Sequence, residues 1–350
     1  MAKKKILVAP LNWGLGHATR CIPIIKALEI NNFEPILASD GSALALLKKE
    51  FPHLKFYELP SYNIKYARKG FFFKSKLFFK SYKILKTVNN ERKITLEIYE
   101  KEKISGVISD NRLGVFCKFV PSVFITHQLN VLTGKTTYFS SKIHQFYIKK
   151  FKECWIPDFA KSPNLSGKLG HLKKESQFNL NYIGALSRFE KKELPIEYDL
   201  MILLSGPEPQ RTLLEEKLLL EFKDTDKRII FVRGVVEEVQ TKGTIGNITI
   251  FNYLSGKDLE EAINKSEVIL SRSGYTTLMD IAKLKKKAFF IPTPGQTEQE
   301  YLAKRLKENR IAPSCSQHRF KAEKLREVNF YSGLSFSSTG LDWSSLFRLF

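Results

Sequence analysis

The chain has 350 residues, and its 57 lysines and arginines outnumber its 36 aspartates and glutamates, which gives a formal net charge of +21. This length favours two domains over one small domain, and a hydrophobic fraction of 43% excludes a disordered chain. No window of about 20 apolar residues predicts a membrane span, and four cysteines without a CxxC pair predict reduced thiols and no structural metal.

Short apolar runs alternate with longer segments of helical periodicity, which is typical of βα units around parallel sheets. In the first half, strands are predicted at 5–10, 35–39, 55–59, 106–110, 122–127 and 153–157, and helices at 17–30, 42–49 and 137–150. A charged stretch at 187–198 predicts a linker. In the second half, strands are predicted at 200–204, 228–233, 248–251, 268–270 and 288–292, and helices at 209–222, 257–264, 274–285 and 297–308.

Together, these elements predict an α/β fold with two doubly wound, Rossmann-like domains that face each other across a cleft. We place the two domains at residues 1–185 and 186–350. The segment 331–350 is rich in serine, and its last residues could form a short amphipathic helix that packs back on either domain.

The loop after the first predicted strand, residues 12–20, reads NWGLGHATR. Gly14 and Gly16 allow a tight turn and the close approach of a ligand, and the N-terminus of the following helix favours a negative group. His17 titrates near neutral pH, so it can accept a proton from an attacking hydroxyl. The alternative is that His17 only caps the helix.

The positive charge is concentrated in residues 1–185, which carry 31 basic and 13 acidic groups, a net charge of +18, against +3 for residues 186–350. Half of that +18 lies within residues 65–93, where basic side chains are interleaved with aromatic ones. We treat residues 60–103 as an insertion, the basic aromatic segment. An anionic membrane surface would bind such a segment, because aromatic rings enter the headgroup boundary and lysines pair with lipid. The alternative is a helix with its phenylalanines in the core, and no nucleic acid is expected because no nucleic-acid-binding motif accompanies the segment.

Two further titratable side chains stand at the ends of predicted strands. Asp110 ends the strand at 106–110, and His127 ends the strand at 122–127. The carboxyl ends of parallel strands share one edge of a sheet, so both side chains are expected in the same cleft as His17. Either could replace His17 as a catalytic base, and the alternatives are a capping aspartate and a hydrogen-bonded strand-end histidine.

Three loops after predicted strands of the second half carry groups suited to a nucleotide-sugar. In SRSGYTTLMD, residues 271–280, hydroxyls and backbone amides at a helix N-terminus suit a diphosphate, and Asp280 could bind a ribose. The alternative is a capping serine and a solvated aspartate. In the second loop, side-chain amides near a strand end suit hydrogen bonds to a sugar or a nucleobase. In the third loop, side chains could approach phosphate oxygens. The residues concerned are Ser271, Ser273 and Gly274 in the first loop, Gln296, Glu298 and Gln299 in the second, and Ser205, Gly206 and Arg211 in the third.

Together, these motifs resemble the GT-B glycosyltransferases, and specifically family 28, which includes the N-acetylglucosaminyltransferase of peptidoglycan lipid intermediates and the plant galactolipid synthases. The resemblance covers the whole chain in architecture and is specific mainly at residues 14–20 and 271–306. It implies that the first domain binds the acceptor and the second binds the nucleotide-sugar donor. The acceptor-side loop then comprises Asn12, Gly14, Gly16, His17 and Arg20.

The resemblance also assigns residues to the donor site. The family's diphosphate-binding motif corresponds here to Ser271, Arg272, Ser273 and Gly274. The family's ribose-binding glutamate is Asp280 here, shorter by one methylene, and the family's glutamine is Gln299. The asparagine usually found a few residues later is absent, so the resemblance does not name the sugar.

What the resemblance implies is a hexosyltransferase that needs no cofactor beyond its UDP-sugar donor. An acceptor hydroxyl, deprotonated by His17 or Asp110, attacks the anomeric carbon with inversion, and a helix N-terminus rather than a metal stabilises the departing diphosphate. Lipid-linked acceptors in the family favour membrane contact and a cytoplasmic, peripheral location on the inner face of the membrane. Two rivals are a UDP-sugar 2-epimerase, which would need several cleft carboxylates, and a non-catalytic protein that binds a nucleotide-sugar or anionic lipid.

Overall fold

A computed structural model describes residues 3–62, 73–172, 178–235, 237–335 and 341–350, without the side chains of residues 73–82 and of Lys135. Part of the basic aromatic segment, residues 63–72, therefore lies outside the described residues, and so does 336–340 in the C-terminal segment. Within the described ranges, no helix is both long enough and apolar enough to cross a membrane.

The first half of the chain builds one parallel sheet. Its strands are β1 (Lys4–Pro10), β2 (Phe33–Ser39), β3 (Phe56–Glu58), β4 (Gly106–Asp110), β5 (Ser122–Ile125), β6 (Glu153–Ile156) and β7 (Leu180–Tyr182). Among the described residues these seven strands lie in the order β3-β2-β1-β4-β5-β6-β7. The central strands are buried on both faces: Ile6, Leu7 and Val8 have no exposed surface. A parallel sheet covered on both faces explains why the first strand reads as a continuous apolar run.

Helices cover both faces of this first sheet. They are α1 (Gly16–Ile30), α2 (Gly41–Glu50), α3 (Phe73–Glu102) and α4 (Thr137–Ile148). The α1 helix buries an apolar face that includes Ile22, Ile25 and Leu28. These side chains recur at intervals of three, which is the spacing of one helix face.

The second half of the chain builds another α/β layer around β8 (Tyr198–Leu203), β9 (Ile229–Val232), β10 (Lys242–Ile245), β11 (Ile248–Phe251), β12 (Ser266–Ser271) and β13 (Lys287–Phe290). The strand order is β10-β11-β9-β8-β12-β13, and β10 alone pairs antiparallel with its neighbour among the described strands. The helices are α5 (Gln210–Glu221), α6 (Gly256–Asn264), α7 (Tyr275–Lys283) and α8 (Thr297–Glu308).

The C-terminal segment returns to the first sheet. The last helix, α9 (Trp343–Phe347), packs its Phe347 ring 6.3 Å from the ring of Trp155. The backbone oxygen of Phe350 accepts a hydrogen bond from Lys4 Nζ at 2.7 Å. Short 3₁₀ helices complete the chain at Gly134–Thr136, Gly167–Leu169, Gln317–Arg319 and Ala322–Phe330.

The predicted fold class, two doubly wound α/β layers, is confirmed by these sheets. Some elements differ from the sequence-based prediction. Neither β7 nor β10 was predicted, and the basic aromatic segment contains a 30-residue helix, α3. The strand predicted at 122–127 ends at Ile125, so His127 lies in the loop beyond it.

Both sheets have a switch point in strand order, where neighbouring connections lead in opposite directions. In the first sheet it lies between β1 and β4, and in the second between β8 and β12. Loops beyond the carboxyl ends of such strands form a crevice, which is where ligands bind in open α/β sheets. The loops after these four strands therefore define where a site is expected.

Candidate functional site

A cavity of about 340 Å³ lies between the two halves of the chain. The first half contributes the loop after β1 and the ends of the central strands, and the second half contributes the N-termini of α7 and α8. Its lining includes Gly16, His17 and His127 from the first half and Gly274, Tyr275 and Glu298 from the second. The cavity thus lies where the two switch points predict a ligand site.

The loop after β1 is fixed to the neighbouring α2 helix. Asn12 donates a hydrogen bond from Nδ2 to Asp40 Oδ2 at 3.0 Å and accepts one from Ser42 Oγ at 3.0 Å. Gly14 has a φ of +72°, a left-handed conformation that glycine adopts without strain. This turn lets α1 begin at Gly16 and brings the next residue, His17, to the cavity.

His17 pairs with the last residue of β4. Its Nδ1 lies 2.9 Å from Oδ1 of Asp110, whose side chain is completely buried. One turn along α1, Arg20 donates from Nε to Asp110 Oδ2 at 2.5 Å and from Nη2 to the other carboxylate oxygen. The carboxylate of Asp110 is therefore held by a buried guanidinium and by an imidazole.

The electrostatics of this group favour a neutral His17. Burial lowers the pKa of His17 below its ordinary value of 6.5, and the positive charge of Arg20 lowers that pKa further, against the opposing effect of Asp110. Burial would raise the pKa of Asp110, but the charge of Arg20 and the hydrogen bonds from Arg20 and His17 hold that pKa well below its usual range. At neutral pH the site therefore holds an ionised aspartate and an imidazole that is free to accept a proton.

His127 joins the first half of the chain to the second. Its Nε2 lies 2.8 Å from Oε1 of Glu298, and its ring stacks on Tyr275 with a centroid distance of 3.9 Å. Gln128 Nε2 donates to the second oxygen of Glu298 at 2.6 Å. On its other side, His127 Nδ1 faces Arg20 Nη1 at 3.3 Å. His127 thus links Glu298 to the group around Asp110.

The SRSG motif follows β12 and leads into α7. Ser273 is buried and donates from Oγ to the backbone oxygen of Gln299 at 2.8 Å, whereas Ser271 Oγ donates to the backbone oxygen of Arg272. Gly274 is the N-cap of α7 and lines the cavity. The unpaired amides of the first turn of a helix bind anions, so this end of the cavity suits a diphosphate.

Arg272 is engaged within the second half of the chain. Its guanidinium donates to the backbone oxygens of Ile291 at 3.2 Å, Pro292 at 3.1 Å and Gln210 at 2.7 Å. Burial lowers its pKa to about 10. The side chain therefore fixes the loops after β12 and β13, and its contact with a diphosphate stays a prediction.

Asp280 lies toward the linker rather than in the cavity lining. Ser187 Oγ donates to its Oδ1 at 2.6 Å. Burial raises the pKa of Asp280 to about 7, and the nearby charge of Arg188 only partly opposes that effect. Its contact with a ribose stays a prediction.

The N-cap and first turn of α8 supply three of the predicted donor residues. Gln296, Glu298 and Gln299 all line the cavity. Gln299 Oε1 accepts a hydrogen bond from the backbone amide of Thr293 at 2.8 Å, which fixes the end of the loop. Glu298 contacts the first half of the chain through His127, and Thr297 does so by donating from Oγ1 to the backbone oxygen of Leu132 at 2.9 Å.

The loop after β8 lies apart from the lining residues. Gly206 has a φ of +108°, and Ser205 precedes it in the same turn. The guanidinium of Arg211 donates from Nη1 to Glu215 at 2.5 Å and from Nε to Glu208 at 2.5 Å. Two carboxylates therefore pair with the positive charge of Arg211, and its approach to a phosphate stays a prediction.

Sequence reasoning missed Tyr275 and Gln128 as site residues. Tyr275 directly follows the SRSG motif, is almost fully buried and donates from its hydroxyl to the backbone oxygen of Pro157 at 2.8 Å. Its position after Gly274 was a usable signal, because the first residue of α7 necessarily lies at the same end of the cavity. Gln128 adjoins His127 but carried no signal of its own.

Part of the chain is similar to a known protein family. Residues 210–329 match the model of the glycosyltransferase family 28 C-terminal domain. A segment of 103 residues is 28% identical to the UDP-N-acetylglucosamine–N-acetylmuramyl-(pentapeptide) pyrophosphoryl-undecaprenol N-acetylglucosamine transferase of Listeria monocytogenes serotype 4b, strain CLIP80459. The corresponding transferase of Listeria monocytogenes serovar 1/2a, strain ATCC BAA-679 / EGD-e, is also 28% identical over 103 residues. The matched segment covers 28% of this chain and 28% of each relative.

Solved structures share the fold over nearly the whole chain. Phytolacca americana UGT2, complexed with UDP-2-fluoro-glucose and pterostilbene, has a TM-score of 0.65 and 13% identity, covering 99% of this chain and 98% of its own. Acinetobacter baumannii MurG has a TM-score of 0.54 and 16% identity, covering 94% and 92%. The chain accordingly has the GT-B fold, and its residues 210–329 resemble the C-terminal domain of glycosyltransferase family 28.

Proposed function

We propose that this chain transfers a hexosyl or N-acetylhexosaminyl group from a UDP-sugar to a hydroxyl acceptor, with inversion and without a metal ion. The observation that carries the proposal is the contact between His17 and the buried Asp110, because His17 lines the same cavity as the N-terminus of α7. A proton acceptor and an anion-binding helix end in one cavity are what such a transfer requires.

His17 is the residue best placed to act as the base. Its Nδ1 lies 2.9 Å from Asp110 Oδ1 and 2.7 Å from Arg20 Nη2, and the tautomer decides which of the two contacts is a hydrogen bond. In this proposal Nδ1–H donates to Asp110, and Nε2 accepts the proton of the acceptor hydroxyl. As the acceptor oxygen forms its bond to the anomeric carbon, the bond from that carbon to the diphosphate breaks, and the proton passes to His17. The ionised Asp110 then balances the charge of the imidazolium.

The other two candidate bases are less suited to the role. Asp110 is ionised and held by Arg20, and its low pKa makes it a weak proton acceptor. His127 has both ring nitrogens engaged, one by Glu298 and the other by Arg20. In this proposal both residues position others: Asp110 orients His17, and His127 connects the two halves.

The departing UDP is stabilised by the N-terminus of α7. The helix begins at Tyr275 with Gly274 as its N-cap, so the backbone amides of its first turn lie at the cavity. Amides and the positive end of the helix dipole neutralise part of the charge that develops on the diphosphate. Gln296 and Gln299 line the same region and would contact the sugar or the base.

The acceptor in this proposal is a lipid-linked hydroxyl compound reached from the cytoplasmic face of a membrane. The name of the matched Listeria relatives specifies an undecaprenol-linked acceptor, which supports a lipid-linked acceptor for this chain. The lining contributed by the first half includes the apolar side chains of Leu113, Val131 and Ile84. Such a wall suits an acceptor with an apolar body.

The two rival functions have less support. A 2-epimerase would need several carboxylates in the cleft, and among the described lining residues Glu298 alone carries one. A non-catalytic binding protein would have no use for the buried contact of His17 with Asp110.

To test the proposal, the purified protein is incubated with a bacterial lipid extract and UDP-glucose, UDP-galactose or UDP-N-acetylglucosamine, each radiolabelled in its sugar. The proposal predicts label in a lipid product and release of unlabelled UDP. An epimerised sugar without acceptor would support the first rival, and nucleotide-sugar binding without any product would support the second.

A further inference from the structure

Arg112 lies in the loop after β4, two residues beyond Asp110, and its side chain has no exposed surface. Its guanidinium donates from Nε to the backbone oxygen of Pro10 at 2.9 Å, from Nη1 to Glu91 Oε1 at 2.8 Å, and from Nη2 to Asp40 Oδ1. Pro10 ends β1, Asp40 follows β2, and Glu91 lies on α3. One buried side chain therefore joins two strands of the first sheet to the helix of the basic aromatic segment.

The carboxylate of Glu91 extends these contacts to the wall of the cavity. Tyr62 donates from its hydroxyl to Glu91 Oε2 at 2.6 Å, and the backbone amide of Gly114 donates to the same oxygen at 3.0 Å. Tyr62 lines the cavity together with Ile84, which lies about two turns before Glu91 on α3. This is the wall against which the apolar body of the acceptor is proposed to lie.

The carboxylate of Asp40 extends the contacts in the other direction, to the loop that carries His17. Its Oδ1 accepts from Arg112, and its Oδ2 accepts from Asn12 Nδ2 at 3.0 Å. Asn12 begins that loop, and Trp13 and His17, which follow in the same loop, both line the cavity. The contacts thus run from one cavity wall to the other through the buried interior. We call the residues that make them the Arg112 cluster: Asn12, Asp40, Tyr62, Glu91 and Arg112.

The geometry of the cluster depends on an arginine at its centre. A guanidinium presents five N–H groups in fixed directions, whereas the ammonium of a lysine is a single compact charge. Asp40 is 5% exposed and Glu91 is not exposed, so both carboxylates depend on the guanidinium for the hydrogen bonds they lose from water. The helix also packs tightly here, since a Cβ atom on Gly114 would collide with the backbone oxygen of Val88 on α3.

Arg112 is not among the described residues that line the cavity, so its effect on a reaction there would be indirect. We propose that Arg112 is a positioning residue for the transfer, and that its cluster holds the loop of His17 in register with the acceptor wall at Tyr62. This step rests on the proposed function, in which His17 must meet the acceptor hydroxyl. Reacting groups must approach to about 3–3.5 Å, so a loop that shifts relative to that wall lowers the rate.

Trp13 provides a readout that does not depend on activity. It lies in the His17 loop and is 47% exposed. The other two tryptophans of the chain are Trp155, which has no exposed surface, and Trp343 on α9. In a Trp343→Phe background, acrylamide quenching of the fluorescence therefore reports chiefly on the exposure and mobility of Trp13.

Three variants of the full chain are compared in this background without any substrate. Arg112→Lys keeps the charge of the cluster but not its directions, and Tyr62→Phe removes only the hydroxyl that donates to Glu91. The matched control is Glu102→Gln. Glu102 is also a buried carboxylate of α3, but its partner Lys5 lies near the start of β1, at the other end of that strand from the His17 loop.

The proposal predicts a quenching constant about twofold higher or more in Arg112→Lys and Tyr62→Phe, because a loop with a weakened anchor opens more often. In transfer assays, Arg112→Lys should lower kcat about tenfold or more and leave the KM for the UDP-sugar unchanged. Glu102→Gln should lower the free energy of unfolding in urea, yet its quenching constant and kcat should stay within about twofold of the unsubstituted values.

Asn12→Ala tests whether the effect of Tyr62 passes through the cluster. Tyr62→Phe should raise the quenching constant when Asn12 is present and should add nothing when Asn12→Ala has already cut the link to Asp40. This pair of variants carries the test alone if Arg112→Lys does not fold.

Two results would overturn the proposal. One is a quenching constant in Arg112→Lys and Tyr62→Phe no higher than in Glu102→Gln, and the other is a Tyr62→Phe effect of equal size with and without Asn12→Ala. Because quenching is measured without substrate, failure of the transferase proposal would leave the quenching result unchanged. Unchanged quenching, in turn, would remove the positioning role and leave the transferase proposal standing.

Discussion

Gly16 and Thr276 lie in contact across the boundary between the two halves of the chain. A Cβ atom placed on Gly16 would lie 2.6 Å from Oγ1 of Thr276. Gly16 is the first residue of α1, next to His17, and Thr276 lies in the first turn of α7, where the diphosphate is proposed to bind. The absence of a side chain at residue 16 thus allows the proposed base and the proposed anion site to approach each other.

We therefore expect Gly16→Ala to impair transfer without unfolding the protein. Alanine favours a helix, so α1 itself should not suffer, but the added methyl pushes against α7. A misplacement of about 1 Å lowers kcat/KM by up to about a hundredfold. The measurement is steady-state kinetics of transfer with a saturating acceptor.

Thr276→Ala supplies the matched control for that prediction. Thr276→Ala alone should have little effect, and combining it with Gly16→Ala should restore most of the lost activity because the contacted oxygen is removed. A double variant no better than Gly16→Ala alone would show that contact with Thr276 does not limit the reaction.

The buried pair of Arg20 and Asp110 makes a stability prediction. Arg20 is 2% exposed and Asp110 is not exposed. Asp110→Asn leaves the guanidinium buried without its counter-charge, which costs about 3–5 kcal/mol in the free energy of unfolding. Urea denaturation measures this loss, and the exposed pair of Lys304 and Glu308 provides a control, since Glu308→Gln should cost about 0.5 kcal/mol or less. A loss for Asp110→Asn as small as that of the control would contradict the role of the pair.

Much of this arrangement could be predicted from the sequence, because it depends on local patterns. The pattern of an apolar strand, a glycine loop and a helix predicted the position of His17, and the SRSG motif predicted the start of α7. Both β10, whose four residues are all exposed, and β7, whose three residues are half-buried, lack an apolar run that would reveal a strand.

Pairings between distant residues could not be predicted in the same way. His127 and Glu298 are 171 residues apart, and Arg20 and Asp110 are 90 apart. No local pattern selects such partners, since they are determined by how the sheets and their loops pack. Arg272 shows the same limitation, since no local pattern indicated that its guanidinium donates to the backbone oxygens of Ile291 and Gln210.

The buried carboxyl of Asp280 should make stability depend on pH. Its pKa is raised to about 7 in the folded protein from an ordinary value of 3.8, so the folded state binds the proton more tightly than the unfolded state. This contribution to stability is fully present below about pH 4 and is lost as the pH rises through about 7, at no more than about 1.4 kcal/mol per pH unit.

Asp280→Asn removes that titration. Compared with the unsubstituted chain, its free energy of unfolding should decline less between about pH 5 and pH 8 when followed by urea denaturation at each pH. The variant Asp258→Asn, at an exposed position on α6, is the control and should leave the pH dependence unchanged. Parallel curves for Asp280→Asn and the unsubstituted chain would contradict the raised pKa.

The rate of transfer should fall at acid pH, where His17 becomes protonated. Because burial and Arg20 lower the pKa of His17 below 6.5, the neutral form that accepts a proton persists to lower pH than in a free imidazole. The acid limb of log kcat/KM against pH is therefore expected to have its midpoint below 6.5. A midpoint above 6.5 would mean that another group, or a differently charged His17, controls the reaction.

The role of His17 as the base is the central claim of this account, and one substitution tests it most directly. For His17→Ala we measure the transfer rate with saturating donor and, by calorimetry, the affinity for the same UDP-sugar, with the exposed His53→Ala as control. The account predicts a rate about 10²–10⁴-fold lower, with the donor affinity unchanged. A rate close to that of the unsubstituted chain, or a donor affinity that falls as much as the rate, would contradict it.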